Sequence, residues 1–276
     1  MSAINALKVL ARSHSMEFTR SLLALGSASA GAGAGAVNWW SGDGRDMHYR
    51  RGTVDLEVIY HVLLKGGRKG EYWLPKGLEP ACIFDIGGNI GAASRYFAHR
   101  FPSAMIHCFE PIPQNCELLR KNLQGTAVTV HDYGLAAASG SFEFRQAAGA
   151  PANPGGYSMA RDAQAGGPAV RGQVRAVAEV LRELGEPSID IIKIDVEGAE
   201  YEILEAFPDH VLAEATWIYG ELHAEMAGAG PAFALLARLA RWFDIEVHKS
   251  LRKRNWFFDA CSKRASERFR RFRRAR

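Results

Sequence analysis

The sequence predicts an α/β fold: a mostly parallel sheet with helices on both faces, ending in an antiparallel pair of strands. Three observations predict it. From about Thr53 onward, apolar runs of strand length alternate with stretches of helical spacing. Strands separated by helices imply crossover connections, and these build a parallel sheet covered on both sides. The last two strand-like runs are separated only by the basic segment 249–254, which suits a hairpin rather than a helix.

Composition agrees. The chain has 276 residues, of which 47% are hydrophobic and 23% charged, enough to bury a large core. No run of apolar residues is long enough for a transmembrane helix. Cys82, Cys108, Cys116 and Cys261 are not in CxxC spacing, which excludes a disulfide scaffold and a cysteine-rich zinc site and makes a cytoplasmic compartment the expectation. The net charge of +4 is unevenly spread: residues 251–276 carry 11 Lys/Arg and two acids, so the body is mildly acidic. That is not the distributed basic face of a dedicated nucleic-acid binder.

In chain order, residues 1–25 have loose helical spacing (Ile4, Leu7, Leu10, then Phe18, Leu22, Leu25). A targeting peptide would need an uninterrupted apolar stretch after its basic start, and Glu17 interrupts. Residues 26–36, GSASAGAGAGA, have little to bury and read as a flexible linker. Residues 1–50 therefore form an N-terminal extension, 51–260 the folded domain and 261–276 a basic tail.

Within the domain, 54–65 suits an amphipathic helix and 81–86 a buried strand. A Gly-rich turn leads to a helix over 90–100, and strand 105–109 ends in Glu110-Pro111. Pro113 opens the next helix at the tolerated first-turn position, and Gly125 closes it. A strand over 128–131 and a hairpin strand over 141–145 follow. Residues 149–172 hold six glycines and three prolines, which reads as a loop. Helix 177–184, strand 189–194, helix 199–207, strand 216–222, helix 231–243 and strands 245–248 and 256–258 complete the series.

The sharpest chemical signal is Asp85-Ile86-Gly87-Gly88-Asn89-Ile90-Gly91, placed between a strand and a helix. Glycines there let backbone approach a ligand, and the helix start offers free N–H groups. The dinucleotide pattern G-x-G-x-x-G fails at Asn89 and Ala92. Asp85 repels phosphate but suits an ammonium group. Glu110 ends the second strand, where an acid accepts hydrogen bonds from ribose hydroxyls. A ligand with an amino-acid end and a ribose is S-adenosylmethionine.

FDIGGNIGAASRYFA, HCFEPIPQNCELLRKNL, DIIKIDVEGAEYEIL and GELH together resemble the FkbM family of class I S-adenosylmethionine-dependent methyltransferases, over about residues 55–250. KGEYWLP, residues 69–75, resembles the family's lead-in to the fold. The resemblance implies a Rossmann-like, seven-stranded, mostly parallel sheet with an antiparallel C-terminal strand. It also implies methyl transfer to a hydroxyl oxygen of a sugar or secondary metabolite. By position, Asp85, Gly87, Gly88, Asn89 and Gly91 would line the methionine end of the cofactor, and Ser94 would reach its carboxylate. Glu110 would hold the ribose. Asp132 would meet the adenine amino group, or stand as a solvated loop acid.

A second group of residues, Asp195, Glu197 and Glu200 after one strand and Glu221 and His223 at the end of the next, meets beside the first loop if the two strands are neighbours. Five ionisable groups at adjacent strand ends are costly to gather without purpose. A hydroxyl must lose its proton to attack, and a neutral histidine suits that task, so His223 is the expected general base. Glu221 or Asp195 would orient it, and Asp195 and Glu197 would bind acceptor hydroxyls. Alternatively Asp195, Glu221 and His223 hold a divalent cation, Mg or Mn by their oxygen-rich donors. Glu200 has a plainer reading as a solvated helix acid, and Lys193 as the partner of a strand acid. Tyr157 and Ser158 of the 149–172 loop are candidates to reach the substrate.

The tail sets arginines around Phe269 and Phe272. It reads as a solvated segment, as attachment to an anionic membrane or acidic partner, or as a grip on RNA. The leading expectation is an O-methyltransferase acting on a small molecule or glycan, cytoplasmic or peripheral to a membrane through the tail. The alternatives are an RNA methyltransferase and a non-catalytic binding protein of the same fold.

Overall fold

A computed structural model describes residues 3–25, 31–65, 70–146, 157–159, 169–223, 229–249 and 256–273. The central sheet has seven strands: β3 (Cys82–Ile86), β4 (Met105–Phe109), β5 (Val128–His131), β10 (Ile191–Ile194), β11 (Trp217–Leu222), β12 (Phe243–Lys249) and β13 (Trp256–Ser262). Their order is β12-β13-β11-β10-β3-β4-β5. Pairing is parallel from β11 to β5, and β13 runs antiparallel to both its neighbours. The fold class read from the sequence is the one observed.

Strand periodicity sorts the core into two layers. Phe84, Ile192, Ile194 and Ile218 point to one face, under helices α6 (Val177–Glu183), α7 (Glu200–Ala206) and α9 (Ala229–Leu239). Ile83, Ile106, Ile191 and Trp217 point to the other, under α4 (Ala92–Arg100) and α10 (Lys263–Arg273). The same alternation puts Asp85 and Lys193 on the α4 face. They are partners in the register of β3 and β10, so two buried charges meet.

The N-terminal region differs from its expectation. Helices α1 (Ala3–Ser13) and α2 (Met16–Leu23) form as the spacing suggested. The last residues of the expected linker, 34–36, however, belong to β1 (Ala34–Asn38), which pairs with β2 (Asp46–Arg50). Phe18, Leu22, Val37, Met47 and Tyr49 build a core that includes Leu56 of α3 (Asp55–Ile59), which continues as a π-helical turn over Tyr60–Leu64. Gly35 makes this packing feasible, because a Cβ there would lie 2.5 Å from the Tyr49 ring. Arg95 of α4 is 1% exposed and grips Asp43 through two hydrogen bonds of 2.9 and 2.7 Å, which fastens this region to the sheet layer.

A second sheet was only partly legible. Strands β6 (Gly134–Ala136), β7 (Gly140–Gln146), β8 (Tyr157–Met159) and β9 (Ala169–Ala176) form it in the order β6-β9-β7-β8. The expected 149–172 loop thus contributes two strands. Residues 147–156 and 160–168, with the side chains of Tyr157 and Ser158, lie outside the described residues. A short helix, α8 (Asp209–Glu214), also went unread, and α5 (Pro113–Asn122) starts at Pro113 as expected.

The tail is not a free solvated segment over its described part. It forms α10, Phe269 is 2% exposed against Trp217, and Arg268 donates to the Gly77 carbonyl at 2.9 Å. Phe269 is thus part of the core, and the side chains of residues 270–273 lie outside the described residues. Among the described residues, no helix is long and apolar enough to cross a membrane.

Candidate functional site

The loop after β3 is shaped by contacts that leave no room for side chains. Gly87 has φ of +83°, and a Cβ there would lie 1.9 Å from the Asp195 carbonyl oxygen. A Cβ on Gly88 would lie 2.2 Å from Cys108 Sγ. Both amides donate to the Phe109 carbonyl at 3.0 Å, and Gly91, with φ of +89°, caps α4. Asn89 adopts φ of +47°, sparsely populated for a residue with a side chain. Its buried Oδ1 has no hydrogen-bond partner within the protein.

Asp85 is fully buried under this loop. Its Oδ2 accepts from Ser94 Oγ at 2.6 Å, and its Oδ1 lies 3.2 Å from Lys193 Nζ. The ammonium also donates to the Gly87 carbonyl at 2.6 Å. Burial pulls the Lys193 pKa down, but Asp85 and Asp195 outweigh it and hold the group charged. Ser94 therefore positions Asp85, and its expected reach toward a ligand carboxylate is taken up by that bond. Lys193 pairs with a strand acid, as its place in the sequence suggests.

Glu110, 4% exposed, closes the loop from β4. It accepts from the Asn89 amide at 2.7 Å, the Ile112 amide at 3.0 Å and Asn115 Nδ2 at 3.1 Å. Burial raises its pKa, and these bonds offset part of the rise. Asn115 is itself held by Arg50 of β2 at 2.9 Å, a brace from the N-terminal region that no motif announced. Asp132 does not join the group. It stands beyond the last residue of edge strand β5, its side chain 68% exposed and paired with Arg120 at 3.0 Å.

The second constellation does assemble, because β10 and β11 are parallel neighbours. His223 Nδ1 lies 2.6 Å from Glu200 Oε1, its Nε2 3.1 Å from Glu197, and Glu221 is 3.9 Å away. Glu197 holds φ of +55°, a strained turn that aims its carboxylate at the ring. Glu200 is fully buried, not solvated, and also accepts from the Val196 and Gly198 amides at 3.2 and 3.0 Å. An acid opening a helix shortly after a glycine is the signal that could have found it.

The geometry around His223 bears on its expected role. Burial lowers its pKa, but the bonds to Glu197 and Glu200 win and lift it to about 11. With both ring nitrogens facing carboxylates, the arrangement favours the imidazolium over the neutral ring. Asp195 moves the other way for an acid: burial, then Glu221, raise its carboxyl to about 8, against the pull of Lys193. A carboxylate poised near neutrality is the better matched base. Ligand atoms of Asp195, Glu200 and His223 lie within 4.8 Å of one another, so a divalent cation has donors here, though it must displace a bond to the imidazole.

Two clefts meet at Asp195. One, of about 680 Å³, runs past Gly87, Asn89 and Glu110 to Ile112, Phe144 and Val174. The other, of about 560 Å³, is lined by Tyr72, Tyr219, Glu221 and Phe257 together with Asp195. Tyr72 and its neighbour Glu71 belong to the lead-in segment, and sequence reasoning gave them no part in the site.

The profile of the Methyltransferase FkbM domain matches residues 85–253. The chain is 29% identical over 206 residues to the AMB antimetabolite synthetase AmbE of Pseudomonas aeruginosa, which spans 61% of this chain and 10% of that protein. It is 30% identical over 151 residues to Methyltransferase sdnD of Sordaria araneosa, covering 44% of this chain and 58% of the relative. It is 25% identical over 194 residues to the 2-O-methyltransferase NoeI of Sinorhizobium fredii, 60% of this chain and 77% of the relative. With its profile match spanning the first loop, both carboxylate constellations and their strands, the chain belongs to the FkbM methyltransferase family.

Proposed function

We propose that the protein transfers a methyl group from S-adenosylmethionine to a hydroxyl oxygen of a small molecule or sugar. The observation that carries this reading is the pair of clefts meeting at Asp195, one suited to the cofactor and the other to an acceptor. The glycines where a Cβ has no space, and the unpartnered Asn89 Oδ1, fit a ligand held close to backbone with an ammonium or hydroxyl donor. Asp85, buried against Ser94 and Lys193, fixes the shape of the loop that meets the ligand, and Glu110 keeps lone pairs for ribose hydroxyls. A relative whose name specifies 2-O-methylation supports oxygen as the acceptor atom.

When bound, the sulfonium supplies an already activated methyl group, so the protein must orient the acceptor, exclude water and manage one proton. Tyr72 and Tyr219 wall the acceptor cleft and limit water. Asp195, at the junction, takes the hydroxyl proton. Glu197 and Glu221 bind neighbouring hydroxyls, and the His223 imidazolium holds those acids in place while offsetting their charge.

The test is calorimetric titration with S-adenosylmethionine of the wild type, Asp85→Asn and Glu110→Gln, with and without Mg²⁺. Micromolar binding by the wild type, lost in both variants, is the expected result. A wild type that binds neither the cofactor nor its demethylated product overturns the reading. Binding only with Mg²⁺ moves the second constellation to a cation site.

A further inference from the structure

The acceptor cleft extends from Asp195 across the sheet to the last two strands. Register lays a row of partners along its floor: Asp85, Lys193, Tyr219, Asp259 and Glu246. In the neighbouring row Glu221 pairs with Phe257, and Phe257 with His248. Glu246 and His248 are two residues apart on β12, so both share one face with Asp259 of β13. Ligand atoms of Glu246, His248 and Asp259 all lie within 4.8 Å of one another. Asp259 is buried, and its Oδ2 stands 3.8 Å from His248 Nε2. That is too long for a hydrogen bond, but two ligands of one ion, each about 2.1 Å from it, can span such a distance. Each carboxylate has two oxygens, so either acid can keep another partner while one oxygen serves an ion.

His248 and Asp259 line the cleft, and the carboxylates of Glu71 and Glu221 line it with them. A concave wall of acids focuses a negative field that draws a cation to this end. We infer that Glu246, His248 and Asp259 bind a divalent cation at the outer end of the acceptor cleft, and that its open positions take a carboxylate or phosphate oxygen of the acceptor. One imidazole with two carboxylates suits Zn²⁺ first and Mn²⁺ second, because Mg²⁺ prefers oxygen donors alone. Three protein ligands leave such an ion open to a further one. The ion also reverses the sign of the wall, so an anionic group that the bare acids would repel can bind there. This site is separate from the group around His223: at about 4.8 Å per strand, β12 lies roughly 14 Å from β10. The ion stands on this geometry alone, whereas the role of its open positions rests on the acceptor reading above.

The first experiment titrates Zn²⁺ into the full chain by calorimetry, without cofactor, for the wild type, His248→Gln, Glu246→Gln and Glu200→Gln. The wild type should bind an equivalent of Zn²⁺ that His248→Gln and Glu246→Gln weaken about tenfold or more and that Glu200→Gln leaves within about threefold. His248 is exposed, so its variant tests the site without disturbing the core. If the wild type binds no Zn²⁺ or Mn²⁺, the inference fails and the methyltransferase reading, which calorimetry with S-adenosylmethionine tests, is untouched. If Zn²⁺ binding survives both strand variants and is lost only in Glu200→Gln, the ion belongs to the His223 group and the inference is overturned. The second experiment loads Co²⁺ in place of Zn²⁺ and adds acetate. A change in the visible spectrum that His248→Gln abolishes supports open positions. An unchanged spectrum means a closed, structural ion and overturns the recruiting step.

Discussion

The two carboxylate constellations handle charge in opposite ways. Around the first loop each acid has its own complement: Asp85 has Ser94 and Lys193, and Glu110 has two amides and Asn115. At the second, Asp195, Glu197, Glu200 and Glu221 crowd a single imidazole, and Asp195 is driven to about 8. The first is a finished cradle whose shape is set before a ligand arrives. The second is a crowded field in which one proton is loosely owned. Binding asks for the former and proton transfer for the latter.

The comparison breaks most sharply at Gly87, the one residue pressed between the two. Gly87→Val adds β-carbon overlap with Asp195 and forces a branched residue to a positive φ. Left-handed strain and overpacking together amount to roughly 3 kcal/mol, or about a hundredfold in affinity if the loop moves to relieve them. Calorimetry with S-adenosylhomocysteine, on protein whose circular dichroism matches wild type, should read that loss. Affinity within about threefold of wild type would show that the cradle is soft rather than preformed.

A second contrast concerns stability. Glu200→Ala leaves a buried imidazolium with one partner fewer and should cost roughly 3 kcal/mol in chemical denaturation. Glu200→Gln keeps the shape and removes the charge, so its penalty should depend on pH. His223 has its folded pKa raised above the unfolded value of 6.5, to about 11. The stability it gains from Glu200 is therefore complete below pH 6.5 and is lost as pH rises toward 11. The gap in melting temperature between wild type and Glu200→Gln should be widest in that lower range and close on the alkaline side. A gap that is flat with pH would mean that His223 is neutral, and would restore it as a candidate base.

Much of this was legible in the sequence, and the illegible part has physical causes. Strands β3, β4, β5, β10 and β11 are apolar runs bounded by turn residues, and the first loop and Glu110 follow from their ends. The second sheet was hidden because β9, AVRGQVRA, alternates small and polar residues and buries only Gly172, Val174 and Ala176. Its stability comes from packing on Pro111, a contact distant in sequence. The β1–β2 pair was hidden because an Ala/Gly run has no side chains to announce a strand, while its partner's Tyr49 and Met47 provide the core. The setting of His223 was hidden because residue type alone suggests a neutral histidine, whereas its protonation depends on a buried Glu200 whose helical position looked solvated.

The smallest expected effect tests the same lesson from the other side. Asp132 has the right residue type at the right strand end, but lies in solvent with Arg120. An exposed pair of this kind contributes little to stability, about 0–1 kcal/mol, and nothing to a cleft that it does not line. Asp132→Ala should leave S-adenosylhomocysteine affinity within about twofold of wild type, with a similarly small change in melting temperature. A tenfold loss would mean that Asp132 turns inward when the cofactor binds. The base would then be read by a carboxylate after all.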